Sequence, residues 1–298
     1  MIVDVHTHTP SHVAAIPEGE RVVNDVWRPD RSVAATTTWE DHGLAAREAG
    51  ISVSIAFNIA VRSPLETTGL PADPSRVNDT TAAFVRADSA RRLGFLSVHP
   101  DDPGALEEIE RCVGDLGLRG LKLGPSYQDF DPLGPAALRV YRHAAARRLP
   151  ILFHAGTTPI RAAPLRYGHP LAFDEIAIQV PDLRIVIAHL GHPWQTDTFA
   201  VIRKHPHVFA DVSAGFYRPW SFYAAMRLAT EWGVLDKLLF GSDYPVATPE
   251  EGIAGLRAVA AFGAGLPPVR ADALEALLAR DTLGLLGLDP PASPADGA

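Results

Sequence analysis

The chain has 298 residues, of which 47% are hydrophobic and 21% charged, and this ordinary globular composition argues against a largely disordered protein. Thirty-five Asp and Glu against 27 Lys and Arg give a formal net charge of −8, which argues against a nucleic-acid backbone or an anionic membrane as the main partner. Cys112 is the only cysteine, so a disulfide framework and a cysteine-based zinc site are both excluded within one chain.

The sequence also lacks the patterns of membrane insertion and export. No apolar run approaches the roughly 20 residues that a membrane-spanning helix needs. The N-terminal segment has no basic patch followed by an apolar stretch, so a signal peptide is not expected. These features predict a cytoplasmic protein whose partner is a small molecule, with neither nucleic acid nor a membrane as a partner.

Short apolar runs rich in β-branched residues recur between amphipathic segments. They predict eight strands: Ile2–Val5, Ile51–Phe57, Leu93–Val98, Leu118–Leu123, Pro150–Phe153, Leu183–Ala188, His207–Val212 and Lys237–Phe240. Runs that are apolar on both faces are typical of parallel sheets. The segments between them predict helices over Arg76–Arg92, Pro103–Leu116, Pro135–Arg148, Trp194–His205, Trp220–Trp232 and Val269–Leu286.

Eight strands that alternate with helices predict an α/β protein built as a single (β/α)8 TIM barrel over residues 1–288. Three long segments follow strands and precede helices: His8 to about Asp41, Ile59–Ser75 and Ala155–Pro170. They predict long βα loops at the C-terminal face of the barrel, where active sites lie. The last segment, 289–298, is rich in Pro, Ala and Gly, and we expect a flexible tail there.

Polar side chains end the first strand, which runs into Asp4-Val5-His6-Thr7-His8. Because residues along a strand alternate between its faces, Asp4, His6 and His8 are expected to share the inward face, and the intervening residues to pack against helices. Two imidazoles directed into one buried space repel each other when protonated, but they are tolerated when neutral and bound to a metal.

The same arrangement recurs at three later strands. Strand five ends in His154, strand six in His189 and strand eight in Asp243, and each residue closes an apolar run at its C-terminal end. A barrel gathers these ends at one mouth. The joint pattern, rather than any single histidine, predicts a metal site there.

Five motifs along the chain belong together: Val3-Asp4-Val5-His6-Thr7-His8, Gly120-Leu121-Lys122-Leu123-Gly124-Pro125, Leu152-Phe153-His154, Ile187-Ala188-His189-Leu190-Gly191-His192-Pro193-Trp194 and Phe240-Gly241-Ser242-Asp243-Tyr244-Pro245. With these motifs in this order, the chain resembles the amidohydrolase superfamily. It is most similar to the branch that holds aminocarboxymuconate-semialdehyde decarboxylase, related aromatic-acid decarboxylases and many metal-dependent hydrolases.

The resemblance implies a TIM barrel in which His6, His8, His154 and Asp243 bind a divalent metal, usually zinc, with another ion such as Mn²⁺ as the alternative. One metal is expected rather than two. The resemblance also implies that His189 is the catalytic acid/base or a ligand of a second metal. Because barrels of this branch are often dimers, a homodimer is expected as well.

Lys122 and three loop residues are candidates for binding the substrate. Lys122 ends the fourth strand, where it could hold a substrate carboxylate, pair with an acid in a structural role, or be carbamylated and bridge two metals, as in binuclear members of the superfamily. Arg161 and Arg166 follow His154, and a substrate carboxylate would favour a bidentate arginine there. Trp27 could form part of an aromatic wall over the pocket.

These residues predict a metal-dependent hydrolase, in which a zinc-activated water attacks an amide, ester or lactone carbonyl of a small carboxylate-bearing substrate. Asp243 would orient the water and accept its proton, and His189 would polarise the carbonyl or protonate the leaving group. The alternative is a decarboxylase that acts on an aromatic or muconate-type acid. A second alternative is a non-catalytic barrel with a structural metal.

Overall fold

The computed structural model describes residues 1–10, 28, 30, 37–60, 74–158 and 162–291. Within them, eight parallel strands alternate with helices: β1 Ile2–His8, β2 Ile51–Phe57, β3 Arg92–Gly94, β4 Leu121–Leu123, β5 Ile151–Phe153, β6 Ile185–Ile187, β7 Val208–Asp211 and β8 Leu238–Leu239. The α-helices are α1 Trp39–Glu48, α2 Pro74–Arg86, α3 Ala105–Gly114, α4 Pro125–Gln128, α5 Pro135–Ala146, α6 Leu171–Gln179, α7 Gln195–Lys204, α8 Pro219–Trp232, α9 Pro249–Ala258, α10 Ala271–Leu278 and α11 Thr282–Leu286. No helix in these ranges is long and apolar enough to cross a membrane.

The strands form two parallel ladders, β1–β2–β3 and β4 to β8, and isolated bridges join them at both seams. Leu96 pairs with Leu121 at one seam, and Thr7 pairs with Tyr244 at the other. The backbone N–H of Val5 also donates to the carbonyl of Phe240 at 3.0 Å. The predicted (β/α)8 barrel is therefore confirmed.

Side chains inside the barrel form one apolar cluster, and those between strands and helices form another. On β5, Leu152 belongs to the inner cluster, whereas Ile151 and Phe153 belong to the outer one. This alternation directs His154, two residues beyond Leu152, inward at the mouth. Helix α11 closes the opposite end, where its leucines join the inner cluster.

Strand β1 departs from the simple alternation predicted for it. Val3 and Val5 pack in the inner cluster, and the pairing of β1 with β2 shifts register between Asp4 and Thr7. An extra residue in one strand switches which side chains face inward. The prediction that Asp4 shares the inward face of the two histidines was therefore wrong: its carboxylate accepts from Ser242 instead, at 2.9 Å from the backbone N–H and 2.6 Å from the hydroxyl.

The C-terminal segment also differs from its prediction as one helix over Val269–Leu286. Two helices, α10 and α11, cover this segment, and Asp281 lies between them. The Asp281 carboxylate accepts the backbone N–H of Gly284 at 3.1 Å, which caps the start of α11. The predicted tail begins at 289, and residues 292–298 of it lie outside the described residues.

Helix α1 carries a buried histidine, His42, packed between aromatic rings. Its ring centroid lies 5.2 Å from those of Phe84 and Tyr244. Neither ring nitrogen has a hydrogen-bond partner among the described residues. Burial, aided by the charge of Arg92, lowers the pKa of His42 to about 3. The imidazole therefore stays neutral in the folded protein at all but strongly acidic pH.

When the pH is lowered, the free energy of unfolding of His42→Leu is expected to fall less than that of the wild type. The unfolded chain protonates this imidazole below pH ~6.5, whereas the folded chain does not, so acid favours the unfolded state by about 1.4 kcal/mol per pH unit. Relative to the wild type, His42→Leu should gain about 2 kcal/mol in free energy of unfolding between pH 7 and pH 5. Urea titrations at both pH values measure this gain, with His207→Leu as the control. The prediction would be contradicted if the free energies of unfolding of His42→Leu and the wild type differed by the same amount at pH 7 and at pH 5.

Candidate metal centre and active site

The C-terminal ends of six strands bring polar side chains to one mouth of the barrel. These side chains are His6, His8, Lys122, His154, His189, Asp211 and Asp243. Several of them line a cavity of about 130 Å³, together with Tyr127, Tyr217 and Arg218. The predicted convergence of distant strand ends at the mouth is therefore present.

Among the described residues, His6, His8 and Asp243 form one of two groups of metal-competent atoms, and the other is His6, His189 and Asp211. The Nε2 atoms of His6 and His8 both lie 3.4 Å from Oδ1 of Asp243. Two ligand atoms that share a tetrahedral zinc ion with bonds of ~2.1 Å are about 3.4 Å apart. These atoms also lie within 4.8 Å of one another and are buried. Their spacing and chemistry therefore fit a single divalent cation.

Asp211 orients His6 for this role. Its Oδ2 accepts from Nδ1 of His6 at 2.9 Å, inside the protein where both side chains are fully buried. Burial alone would raise the pKa of Asp211, but the interaction with His6 outweighs it and holds the pKa well below its usual range. The hydrogen of His6 is thereby fixed on Nδ1, and Nε2 is left with the lone pair that a metal requires.

His154 lies beside this group but is not one of its three residues. Its Nε2 is buried and has no hydrogen-bond partner among the residues that the structure describes. Burial, reinforced by the neighbouring histidines and Lys122, lowers its pKa well below the ordinary value, so the ring is neutral. A buried, neutral imidazole with an unsatisfied nitrogen fits a metal ligand, and His154 as the fourth ligand stays a prediction.

Lys122 is fully buried and lies at the wall of the cavity. Its Nζ lies 3.3 Å from Nε2 of His6 and 4.6 Å from the centre of the Phe57 ring. Burial lowers the pKa of Lys122 to about 7, although Asp211 and Asp243 oppose the shift. An ammonium group that titrates near neutral pH can be charged or neutral at this point.

His189 occupies a tight turn immediately after β6. It and Leu190 have φ values of 56° and 52°, a left-handed conformation that costs roughly 1–2 kcal/mol per residue outside glycine. The backbone N–H of His189 donates to Oδ1 of Asp211 at 3.0 Å, which holds the turn. Burial lowers the pKa of His189 to about 4, so its ring is neutral at pH 7.

The chain matches a known protein family along nearly its whole length. The family model described as amidohydrolase covers residues 3–280. The chain belongs to the amidohydrolase family. It is therefore an enzyme of this metal-dependent class, and its resemblance to the superfamily is confirmed.

Solved structures share the fold of this amidohydrolase at low sequence identity. An uncharacterised TIM-barrel protein from Bordetella bronchiseptica is 19% identical, with a TM-score of 0.71 over 96% of this chain and 99% of that chain. A probable 2-pyrone-4,6-dicarboxylic acid hydrolase from Acinetobacter baumannii, solved with citric acid, is 17% identical, with a TM-score of 0.63 over 96% and 99%. A dihydroxybenzoic acid decarboxylase from Polaromonas sp. JS666, with bound manganese and 2-nitroresorcinol, is 16% identical, with a TM-score of 0.64 over 96% of each chain.

The predicted substrate-binding residues of this amidohydrolase differ in where they lie relative to the cavity. Lys122 lines the cavity. Arg166 does not: it is exposed, its guanidinium lies 4.4 Å from the centre of the Tyr167 ring, and it donates to that residue's hydroxyl at 3.1 Å. This local pairing places the Arg166 guanidinium outside the cavity lining that the structure describes. Trp27 and Arg161 lie outside the described residues.

Among the described residues, Arg218 is an arginine that the fold brings to the cavity wall. Its guanidinium lies 4.8 Å from the centre of the Tyr217 ring, and the guanidinium of Arg28 lies at the same distance. Arg28 in turn donates to Glu251 at 3.1 Å. Both guanidinium groups therefore make cation–π contacts with the Tyr217 ring at the rim of the site.

Asp211 is the functional residue that sequence reasoning missed, together with Ser213. The signal was present, because strand seven reads Val208-Phe209-Ala210-Asp211, an apolar run that ends in a carboxylate. The same pattern identified His154 and Asp243 at other strands. Its role as an orienting residue, rather than a ligand, depends on the contact with His6 and could not be predicted from the run itself.

Proposed function

We propose that this amidohydrolase hydrolyses an amide, ester or lactone bond of a small carboxylate-bearing molecule. The observation that carries the proposal is the equal 3.4 Å spacing of His6 and His8 Nε2 from Asp243 Oδ1, at the wall of a cavity that His189 also lines. Zinc or manganese, held by these three residues with His154, would supply Lewis acidity and lower the pKa of a water molecule.

The residues of the chain divide the proton transfers between them. Asp243 lines the cavity and offers a carboxylate that can orient a water molecule and accept its proton. His189 lines the same cavity as a neutral imidazole, which can take up a proton and pass it to the leaving atom. Lys122 supplies positive charge at the wall of the cavity when it is protonated, which would favour an anionic substrate.

Arg218 is proposed as the group that binds the substrate carboxylate. It is half-buried on the cavity wall, and a planar guanidinium matches a carboxylate in two parallel hydrogen bonds. Because a hydrogen bond to a charged group contributes about 1.5–3 kcal/mol, its loss should weaken binding roughly 10- to 100-fold.

Replacing Arg218 with alanine is therefore expected to raise KM for an anionic substrate by roughly 10- to 100-fold, with a smaller change in kcat. Steady-state kinetics on a carboxylate-bearing substrate measures both constants. Arg166→Ala is the matched control, since that side chain pairs with Tyr167 outside the cavity, and its KM should stay within about twofold of the wild type. Equal effects of the two substitutions would contradict the assignment.

A substrate panel tests the proposed function. The purified, metal-loaded enzyme is incubated with carboxylate-bearing lactones, esters and amides, and separately with hydroxylated aromatic carboxylic acids. Release of acid or amine from the first set, dependent on Asp243, is the expected result. Release of CO₂ from the second set, with no hydrolysis of the first, would overturn the hydrolase proposal and establish the decarboxylase alternative, the activity for which the similar Polaromonas protein is named.

A further inference from the structure

Ser213 lies behind the histidine that the proposed mechanism uses for proton transfer. It is buried, two residues beyond Asp211. Its Oγ lies 2.8 Å from Nδ1 of His189 and makes a short hydrogen bond to Oδ1 of Asp211. The same Oγ also lies 3.3 Å from Nδ1 of His6, so it contacts one carboxylate and two imidazoles. The donors present determine the direction of the hydrogen bonds to Asp211 and His189.

Asp211 is an acceptor at each of these contacts. Its Oδ1 receives the backbone N–H groups of His189 and Ser213, each at 3.0 Å, and its Oδ2 faces Nδ1 of His6. An ionised carboxylate has no hydrogen to give. The short contact with Ser213 can therefore be a hydrogen bond only if the serine hydroxyl donates to Asp211.

A serine hydroxyl has a single hydrogen, so Ser213 has none left for His189. At 2.8 Å, its Oγ must then accept from His189, and Nδ1 of that ring must carry the hydrogen. In a neutral imidazole with its hydrogen on Nδ1, the other nitrogen, Nε2, holds the lone pair. Since His189 lines the cavity and its Nδ1 is turned to Ser213, Nε2 is the nitrogen left for the substrate side.

We propose that Ser213, held by Asp211, is a positioning residue that fixes His189 as the tautomer with its hydrogen on Nδ1. The ring consequently meets the substrate as a proton acceptor. In the proposed hydrolysis, Asp243 accepts the proton of the attacking water, this proton passes to Nε2 of His189 and then to the leaving oxygen or nitrogen, and the hydroxyl stays on the acyl carbon. This catalytic consequence rests on the proposed function, whereas the tautomer itself does not.

Asp211 acts on two histidines at once. Through Oδ2 it sets the hydrogen of His6 on Nδ1, and through Ser213 it sets that of His189 on the same ring position. Its backbone bond to His189 also holds the left-handed turn that aims the ring. One buried carboxylate thus prepares both a metal ligand and the proton acceptor, which predicts that changes at Asp211 are more damaging than changes at Ser213.

Nitrogen-15 NMR of the zinc-loaded enzyme with ring-labelled histidine tests the tautomer directly. The signals of His189 are identified by their absence in His189→Gln. In the wild type, Nδ1 should resonate in the protonated range and Nε2 in the unprotonated range. Ser213→Ala should move the hydrogen wholly or partly to Nε2. Ser213→Thr, which keeps a hydroxyl, should preserve the wild-type pattern.

Ser97→Ala is the matched control, because Ser97 is also a buried serine whose Oγ makes a hydrogen bond, here to the backbone N–H of Ala60 at 3.1 Å. It should leave the His189 signals unchanged. A wild-type enzyme with the hydrogen on Nε2 would overturn the inference whether or not any variant folds, and so would a Ser213→Ala spectrum identical to that of the wild type. Failure of every compound in the substrate panel would instead overturn the proposed function and leave the tautomer standing.

Discussion

Replacing Asp243 with asparagine is expected to lower kcat by roughly 10²- to 10⁴-fold, the range that a positioned general base contributes. Asparagine has the same shape but no negative charge, so it cannot accept a proton from water. The backbone should tolerate the change, because Asp243 has a φ of 65° and asparagine adopts left-handed conformations readily. Its N–H also keeps its bond to the carbonyl of His6 at 2.9 Å.

The measurement is turnover of a substrate from the panel, divided by the metal content of each preparation. This division separates the loss of a proton acceptor from the loss of the ion, since an asparagine oxygen can still bind a metal. Asp182→Asn, an exposed residue at the other end of the barrel, is the control and should retain full activity. An Asp243→Asn enzyme that keeps more than a tenth of the wild-type kcat per bound metal would contradict the role assigned to this carboxylate.

Replacing His6 with alanine should cost the enzyme both its metal and part of its stability. The metal is lost because Nε2 of His6 is one of the three atoms in the group formed with His8 and Asp243. Stability is lost because Asp211 would keep its charge in a fully buried position without its imidazole partner. Losing a hydrogen bond to a buried charged group costs about 1.5–3 kcal/mol.

His8→Ala separates these two effects. His8 belongs to the same group of ligand atoms, but the hydrogen bond to Asp211 Oδ2 is made by His6. Elemental analysis should show about one ion per wild-type chain and much less in both variants. Urea unfolding of chelator-treated proteins should show the additional loss of about 1.5–3 kcal/mol in His6→Ala alone. Full metal occupancy in His6→Ala, or equal stability of the two metal-free variants, would contradict these roles of His6.

The parts of the site that could be predicted from the sequence are those that a strand places by itself. An apolar run buried on both faces has to end at the mouth of the barrel, so the residue that ends it is directed there whatever the loops do. His6, His8, Lys122 and Asp243 were found in this way, and the structure brings all four together.

Loop residues and side-chain pairings could not be predicted by the same reasoning. Arg166 and Arg218 both follow strand ends, but their positions depend on how irregular segments pack, and only Arg218 reaches the cavity. The extra residue in β1 has no sequence signal of its own, and it reverses the side to which Asp4 points. The role of Asp211 required its distance from His6, which connects residues 205 positions apart.

Anomalous diffraction from crystals of the zinc-loaded enzyme tests the metal centre most directly. We predict one strong peak per chain within about 2.0–2.2 Å of Nε2 of His6, Nε2 of His8 and Oδ1 of Asp243. A fully loaded enzyme whose peak lies beyond bonding reach of these three atoms would contradict the metal centre and every catalytic role derived from it.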